Sequence, residues 1–383
     1  MTTFVFPGQG SQQKGMGADL FDSFEALTKI ADEILGYSIK NLCLNNPDQL
    51  LSQTEYTQPS MYVVNALSYL KRIQVLKKEP DYLAGHSLGE YNALHAAGVI
   101  SFEAGLKLVK KRGELMGRVK NGSMAAVINF SEKQVIEILK KVNLTTIDIA
   151  NLNSPSQIVI SGLKDDIDKA QPHFEIENGK YVLLNTSGAF HSRYMVEAKN
   201  EFEDFIKSFE FDKPKIPVIS NVTALPYDDE TIMSNICNQI IKCVRWTDSI
   251  EFLLTQGEIE FEEIGVGSVL TKLIQNIESH FNLKDKRTPE DCITAGQNSR
   301  NGEGDKIETN PNYSAELLKF SSANELVDYW NKTYPIGTKI ISDRYETELE
   351  TSTEAMVLFG HRAAVYMKGF NGYFDLKEVT PIE

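Results

Sequence analysis

The chain has 383 residues, 42% hydrophobic and 24% charged, a globular composition that excludes a disordered, collagenous or miniature disulfide-held protein. At roughly 100–200 residues per domain there is room for two or three domains. The net charge of −14 at pH 7 argues against nucleic acid or an anionic membrane surface as a partner, so any anionic partner has to meet a local basic patch.

No stretch approaches the ~18 consecutive apolar residues of a membrane span, and Met1 to Gly10 carries neither a basic leader nor a signal core, so a cytoplasmic location is expected. Cys43, Cys237, Cys243 and Cys292 form no Cys-x-x-Cys pair and read as reduced thiols; no metal-ligand spacing and no nucleotide-phosphate loop occur.

Up to about residue 275, short apolar runs alternate with amphipathic stretches, the pattern of an α/β domain. Thr3 to Phe6 is the first predicted strand and stops at Pro7-Gly8-Gln9-Gly10, a tight loop at a strand's C-terminal end, where open α/β sheets bind ligands. Tyr82 to Ala84 is followed by helical stretches Glu90 to Val99 and Phe102 to Val119. Between residues 122 and 186, strand candidates Met124–Phe130, Thr146–Ala150, Gln157–Ser161 and Tyr181–Leu184 enclose helical stretches Glu132–Val142 and Asp165–Glu175, the order of a ferredoxin-like subdomain. The main domain resumes with helix Met195–Phe209, a run at Pro217–Ser220, helix Thr231–Ile241 and a run at Phe261–Ile264. The expected division is therefore a core of residues 1–121 and 187–278, a subdomain of 122–186, a linker of 279–312, and an extension of 313–383 with a helix, Ser314–Thr333, and a small β-rich unit.

The sharpest motif is Gly85-His86-Ser87-Leu88-Gly89, a G-x-S-x-G between a predicted strand and a predicted helix. In that context it is a nucleophile elbow: a sharp turn exposes the serine hydroxyl, and the helix N-terminus favours negative charge. A serine needs a base, and the six histidines are 86, 95, 173, 191, 280 and 361. His86 adjoins Ser87 on the turn, His95 is mid-helix, His173 lies in the insert, and His280 and His361 fall at or beyond the linker. His191, in an irregular loop before a helix, is the candidate base. No acidic third member stands out, although Asp228, Asp229 and Asp248 follow; a backbone carbonyl also fixes an imidazole tautomer. Arg112 shares the apolar face of Leu108 and Leu115, so its guanidinium needs a buried partner, either an internal Asp or Glu or a substrate carboxylate.

Ordered across residues 3 to 275, these motifs, with Phe6-Pro7-Gly8-Gln9-Gly10-Ser11-Gln12, Thr57-Gln58-Pro59, Arg112-Gly113, Asn151-Leu152-Asn153-Ser154-Pro155, Phe190-His191-Ser192, Val244-Arg245-Trp246 and Glu263 to Leu270, resemble the malonyl-CoA:acyl carrier protein transacylases of fatty-acid synthesis and the related acyltransferases of polyketide synthases, which implies malonyl transfer in polyketide or fatty-acid biosynthesis. The free-standing chain is similar to the trans-acting polyketide enzymes. Gly265-Val266-Gly267 departs from the family's usual Gly-Pro-Gly.

The resemblance implies an α/β-hydrolase-like core with a parallel sheet. It makes Ser87 the acylated nucleophile and His191 the base, the N–H groups of Gln9 and Leu88 the oxyanion hole, Arg112 the receiver of the malonyl carboxylate, and the Gln239 carbonyl the group that orients the histidine. Asn151 and Asn153 would line the acyl and pantetheine channel, and Phe190 resembles the bulky residue of malonyl-selective members. It implies no cofactor beyond the substrate malonyl-CoA and the phosphopantetheine carried by the partner, an acyl carrier protein, with a polyketide synthase assembly line as a further expected partner.

Two other readings use the same residues: a carrier thioester hydrolase of the same fold, against which Arg112 argues, and a non-catalytic carrier-binding scaffold, against which an intact nucleophile and base argue. An acidic carrier calls for basic residues, and Lys107, Lys110, Lys111, Arg118 and Lys120 are the predicted patch. The β-rich end reads as a docking module rather than a stabilising flap.

Overall fold

The computed structural model describes residues 1–177, 179–257, 259–285, 320, 322–342, 345–358, 362–368, 373–376 and 379–382. The chain divides into two compact units, Met1–Arg287 and Thr288–Glu383.

The first unit begins with β1 (Thr2–Phe6), α1 (Glu25–Leu35), α2 (Ile39–Asn45) and the long α3 (Thr54–Leu76). Then come β2 (Tyr82–Gly85), α4 (Gly89–Ala96) and α5 (Phe102–Arg118). The inserted segment holds β3 (Gly122–Ile128), α6 (Glu132–Lys141), β4 (Asp148–Ser154), β5 (Gln157–Leu163), α7 (Lys164–Ile176) and β6 (Lys180–Leu183). Helix α8 (Val196–Ile206), β7 (Val218–Ile219), α9 (Ile232–Asn238), α10 (Trp246–Leu254), β8 (Glu260–Glu263) and α11 (Val269–Asp285) complete it.

The main sheet is parallel, in the order β7-β2-β1-β8. Strands β1, β2 and β7 are short and largely apolar, with Phe4, Val5, Phe6, Leu83, Ala84, Val218 and Ile219 all buried, as expected of strands covered on both faces, whereas edge strand β8 is Glu260-Phe261-Glu262-Glu263 and only partly buried. Phe6 pairs with Gly85, so the loop after β1 and the turn after β2 leave the same sheet edge side by side. Two glycines allow that closeness. A Cβ on Gly89 would lie 2.0 Å from the Phe6 carbonyl oxygen, and one on Gly8 would lie 2.4 Å from the His86 carbonyl oxygen, closer than any side chain tolerates.

The insert is an antiparallel sheet in the order β4-β5-β3-β6. Alternation along its strands serves two cores. Ala125, Val127, Ile158 and Ile160 pack with Val135, Leu139, Ile167 and Phe174 of α6 and α7, while Met124, Ala126 and Val159 join the main core. β4 runs later than the predicted Thr146–Ala150 and takes in Asn151-Leu152-Asn153. These asparagines look like turn residues, but the backbone is held extended by Val244, whose N–H bonds Ala150 O and whose carbonyl accepts from Leu152 N–H.

Helix α11 corrects the start of the predicted linker: residues 279–285 continue the helix, with Ile274 and Ile277 buried beneath it. The linker from 286 to 312, and the 314–319 part of the predicted terminal helix, lie outside the described residues.

In the second unit, α12 (Ala323–Thr333) is capped by Ser322, whose side chain accepts from Glu325 N–H. β9 (Lys339–Ser342), β10 (Tyr345–Glu350), β11 (Met356–Leu358), β12 (Arg362–Tyr366), β13 (Tyr373–Asp375) and β14 (Val379–Pro381) form two antiparallel sheets, β10-β9-β14 and β11-β12-β13. Trp330 of α12 is buried in a small core with Ile340, Leu349, Val365 and Phe374. Among the described residues, no helix is long and apolar enough to cross a membrane.

Candidate active site

Ser87 stands between β2 and α4 with φ of 52°, a left-handed conformation costly for a residue with a Cβ and tolerated where surrounding bonds enforce it. Asn221, just past β7, supplies two of those bonds. Its Oδ1 accepts the Ser87 N–H at 2.7 Å, and its Nδ2 donates to the Gly85 carbonyl at 2.7 Å.

His191 lies on the loop before α8, also at positive φ, and is buried. Its Nε2 is 2.7 Å from Ser87 Oγ and its Nδ1 is 2.7 Å from the main-chain oxygen of Gln239. A carbonyl only accepts, so Nδ1 carries the proton and Nε2 is left to accept from the serine hydroxyl. Burial, reinforced by the positive charge of Arg112, depresses the imidazole to about 3, so it is neutral and ready to take a proton at physiological pH. Asp228, Asp229 and Asp248 are occupied elsewhere: Asp228 caps a turn at Glu230 N–H, Asp229 pairs with Lys213, and Asp248 pairs with Arg245 at 2.7 Å.

Arg112 projects from α5 and is 1% exposed. Its Nη2 donates to Ser87 Oγ at 3.0 Å and to Gln239 Oε1 at 2.8 Å, and its Nη1 donates to Gln58 Oε1 at 2.8 Å. The Tyr91 ring lies 5.6 Å from its central carbon. Every one of these partners is neutral, and among the described residues no carboxylate makes an ion pair with it. Of the two partners left open by the sequence, an internal Asp or Glu is not the one found. A buried guanidinium held by neutral oxygens beside a nucleophile is suited to receive an anionic group.

Leu88 N–H begins α4, and Gly8 packs against the elbow so closely that its Cβ position is 3.6 Å from Leu88 N. This brings the loop that carries Gln9 beside the elbow. The Gln9 side chain donates to Thr54 Oγ1 at 3.3 Å. Asn153 Oδ1 accepts from His86 Nε2 at 2.8 Å, and the His86 ring packs 5.5 Å from Trp246, which ties the insert to the elbow.

Ser87, His191, Arg112 and Gln239 thus come together, with Gln9, Leu88 and Asn153 around them. Asn151 is buried on β4 and Phe190 sits in the main core beside Gly188; among the described residues no hydrogen bond joins Asn151 to the serine, histidine or arginine. Gln58, Glu90 and Asn221 also bond into the site and have no role among the expectations drawn from the motifs. The basic face predicted on α5 is divided, because Lys110 donates to the Ile34 carbonyl on α1, Lys111 lies over Phe205 on α8, and Arg118 pairs with Glu201. Among the described residues, no group of three or more His, Cys, Asp or Glu side chains is placed to hold a metal ion.

Residues 3–317 match the family described as "Acyl transferase domain". The polyketide biosynthesis malonyl CoA-acyl carrier protein transacylase PksC of Bacillus subtilis (strain 168) is 58% identical over 279 residues, which cover 72% of this chain and 97% of that protein. The crystal structure of a malonyl CoA-acyl carrier protein transacylase from Burkholderia pseudomallei superposes with a TM-score of 0.72 at 48% identity, covering 73% of this chain and 98% of the other. A type II polyketide synthase acyl-carrier protein in complex with its malonyl-transacylase aligns with a TM-score of 0.69 at 34% identity, over 73% of this chain and 93% of that one. On the family match and on the identity carried through nearly the whole of these relatives, the chain belongs to the acyl transferase family.

Proposed function

We propose that the chain transfers a malonyl group from malonyl-CoA, through an acyl-Ser87 intermediate, to the phosphopantetheine thiol of an acyl carrier protein in polyketide biosynthesis. The observation that carries this reading is the double contact on one atom: Ser87 Oγ faces a neutral histidine nitrogen at 2.7 Å and a buried, ion-unpaired guanidinium at 3.0 Å. The first makes a nucleophile, and the second selects an acyl group that ends in a carboxylate.

In the first half-reaction His191 Nε2 takes the hydroxyl proton as Oγ attacks the thioester carbonyl, and the Gln9 and Leu88 N–H groups receive the developing oxyanion. Collapse breaks the C–S bond, and the proton on His191 passes to the CoA sulfur. In the second half-reaction His191 takes the carrier's thiol proton, sulfur attacks the acyl-serine carbonyl, the ester C–Oγ bond breaks as that intermediate collapses, and the proton on His191 passes to Ser87 Oγ. The Gln239 carbonyl holds Nδ1–H throughout. We assign no cofactor of the chain's own to these steps.

The order β4-β5-β3-β6 with α6 and α7 on one face supports a ferredoxin-like reading of residues 122–186, and the elbow on a parallel sheet supports an α/β-hydrolase-like reading of residues 1–121 and 187–278. Asn151 and Asn153 are assigned to the acyl and pantetheine channel and Phe190 to exclusion of bulkier acyl groups. We place the enzyme in the cytoplasm, where its CoA thioester and carrier would be found. Carrier thioester hydrolysis has no observation in its favour: PksC and the Burkholderia pseudomallei protein are named transacylases, and a hydrolase of plain acyl chains has no use for Arg112.

A brief incubation with malonyl-CoA and no carrier tests this reading: intact mass and peptide mapping are expected to find one malonyl group on Ser87, and an unmodified serine with CoA retained as thioester contradicts it. The acid limb of kcat/KM for malonyl-CoA is expected well below the ordinary histidine range, since burial and the Arg112 charge push the free His191 imidazole down to about 3. The acid limb of kcat is expected at higher pH, because a malonyl carboxylate on Arg112 cancels the charge that helps depress the imidazole. Identical limbs near the ordinary histidine value of ~6.5 contradict this electrostatic coupling.

A further inference from the structure

Glu90 has no part in the steps above, yet it is built into the site. It follows Ser87 by three residues on α4 and is 1% exposed, and among the described residues no cation makes an ion pair with it. Its Oε1 accepts from Asn221 N–H at 2.7 Å and from the Tyr227 hydroxyl at 2.8 Å, and its Oε2 accepts from Gln239 Nε2. The same Gln239 amide donates to the Ser87 carbonyl at 2.7 Å and accepts from Arg112 Nη2 at 2.8 Å through Oε1. A buried carboxylate and a buried guanidinium therefore meet through one neutral amide instead of face to face.

The bonding dictates which way round that amide sits. Carboxylate and carbonyl oxygens only accept, so both require the amide nitrogen; a guanidinium only donates, so it requires the amide oxygen. Reversed, the amide would set oxygen against two oxygens and N–H₂ against a cation. Glutamine at position 90 would have the same shape with one end changed. With its oxygen kept by Asn221 and Tyr227, its N–H₂ would face Gln239 Nε2, donor against donor, and the relief is a flip of Gln239 that turns N–H₂ onto Arg112.

Building on the transferase reading, we propose that Glu90 is a positioning residue for acyl-group selection: by claiming the Gln239 N–H it keeps Gln239 Oε1 on Arg112 and holds the guanidinium beside Ser87 for a substrate carboxylate. Burial raises the Glu90 carboxyl to about 7, against the pull of its three donors and of Arg112, so the test belongs on the alkaline side of that value.

The test is kcat and KM of the full chain with malonyl-CoA and with acetyl-CoA at about pH 8, where Glu90 is mostly ionised, alongside the rate at which a fluorophosphonate labels Ser87. Glu90→Gln is expected to lower kcat/KM for malonyl-CoA about 10- to 100-fold, mainly through KM, the range expected when a hydrogen bond to a charged group is lost. Acetyl transfer and fluorophosphonate labelling are expected to fall by less than about 3-fold, since neither uses the guanidinium as a carboxylate receiver. An unchanged malonyl-to-acetyl ratio, or equal losses on both thioesters, overturns the proposal. Gln239→Leu removes the bridging amide while keeping the main-chain carbonyl on His191, and the same loss of ratio is expected; a retained ratio overturns the proposal even where Glu90→Gln fails to fold. Wild-type enzyme that acylates with neither thioester overturns the transferase reading itself, a different result from a wild type that prefers malonyl and a Glu90→Gln that prefers it equally.

Discussion

Ser87→Ala is expected to lower malonyl transfer at least about 10,000-fold, the loss typical when the nucleophile of a serine enzyme is removed and only binding and the oxyanion hole remain. Among the described residues, Ser87 carries the hydroxyl bonded to His191 Nε2, whose tautomer is fixed by the Gln239 carbonyl on its other nitrogen. The fold is expected to survive, because the Ser87 N–H bond to Asn221 is a main-chain bond that alanine keeps, and alanine meets the same positive φ with a side chain of similar bulk at Cβ. Urea unfolding that matches wild type to within about 1 kcal/mol, together with loss of the acyl-enzyme, distinguishes lost chemistry from lost structure. Residual transfer near one tenth of wild type would mean another group carries the acyl chain.

Arg112→Met is expected to act on the choice of substrate. It removes the charge while filling most of the space, and the malonyl carboxylate then enters a buried site with no cation. Removing one partner of a desolvated charge pair costs about 2–5 kcal/mol, so kcat/KM for malonyl-CoA is expected to fall about 30- to 5,000-fold. Acetyl-CoA brings no charge to the site, and its kcat/KM is expected to change far less, so the preference between the two thioesters collapses. Arg112→Lys keeps a cation but cannot bond Gln58, Gln239 and Ser87 from one planar fork, and an intermediate loss is expected. The acid limb of kcat/KM should also move upward in Arg112→Met, because the positive charge that helps hold His191 neutral is gone. Equal losses on malonyl-CoA and acetyl-CoA would show that the arginine supports the elbow and not the acyl group.

Much of this site was legible in the sequence because its chemistry is local. A serine between two glycines, after an apolar run and before a helix, has few other uses; a loop histidine was left by elimination; and the apolar face of α5 marked Arg112 as buried. The parts that were not legible depend on distant segments meeting. Asn221 reads as any polar residue after a strand, and only the pairing of β7 with β2 brings it under the elbow. Gln58 lies on α3, a helix buried nearly all round from Met61 to Leu67, where no 3.6-residue period survives to say which side faces what. Glu90 was inside the recognised motif, but a lone carboxylate on a helix is ordinarily solvated, and nothing in its neighbours announces a partner at position 239. No helix is expected from the sequence between Ile264 and the linker, yet α11 runs through the expected start of the linker at 279, where the Ser279 and His280 side chains bond back to the Gln275 and Asn276 carbonyls one turn earlier.

The setting of the predicted basic residues is likewise decided by distant segments: Lys110 of α5 donates to the Ile34 carbonyl on α1, and Lys111 lies over Phe205 on α8. A carrier approaching this enzyme meets a surface whose charge is set by several elements together.

The central claim is that one buried serine passes a malonyl group from CoA to a carrier thiol. Intact-protein mass spectrometry of a holo acyl carrier protein, incubated with malonyl-CoA and catalytic amounts of the full chain, reads that transfer directly. The expected result is a carrier heavier by one malonyl group, with free CoA released in equal amount and neither appearing with Ser87→Ala. Free CoA released while the carrier mass stays unchanged would contradict the account, because the acyl-serine would then be yielding to water.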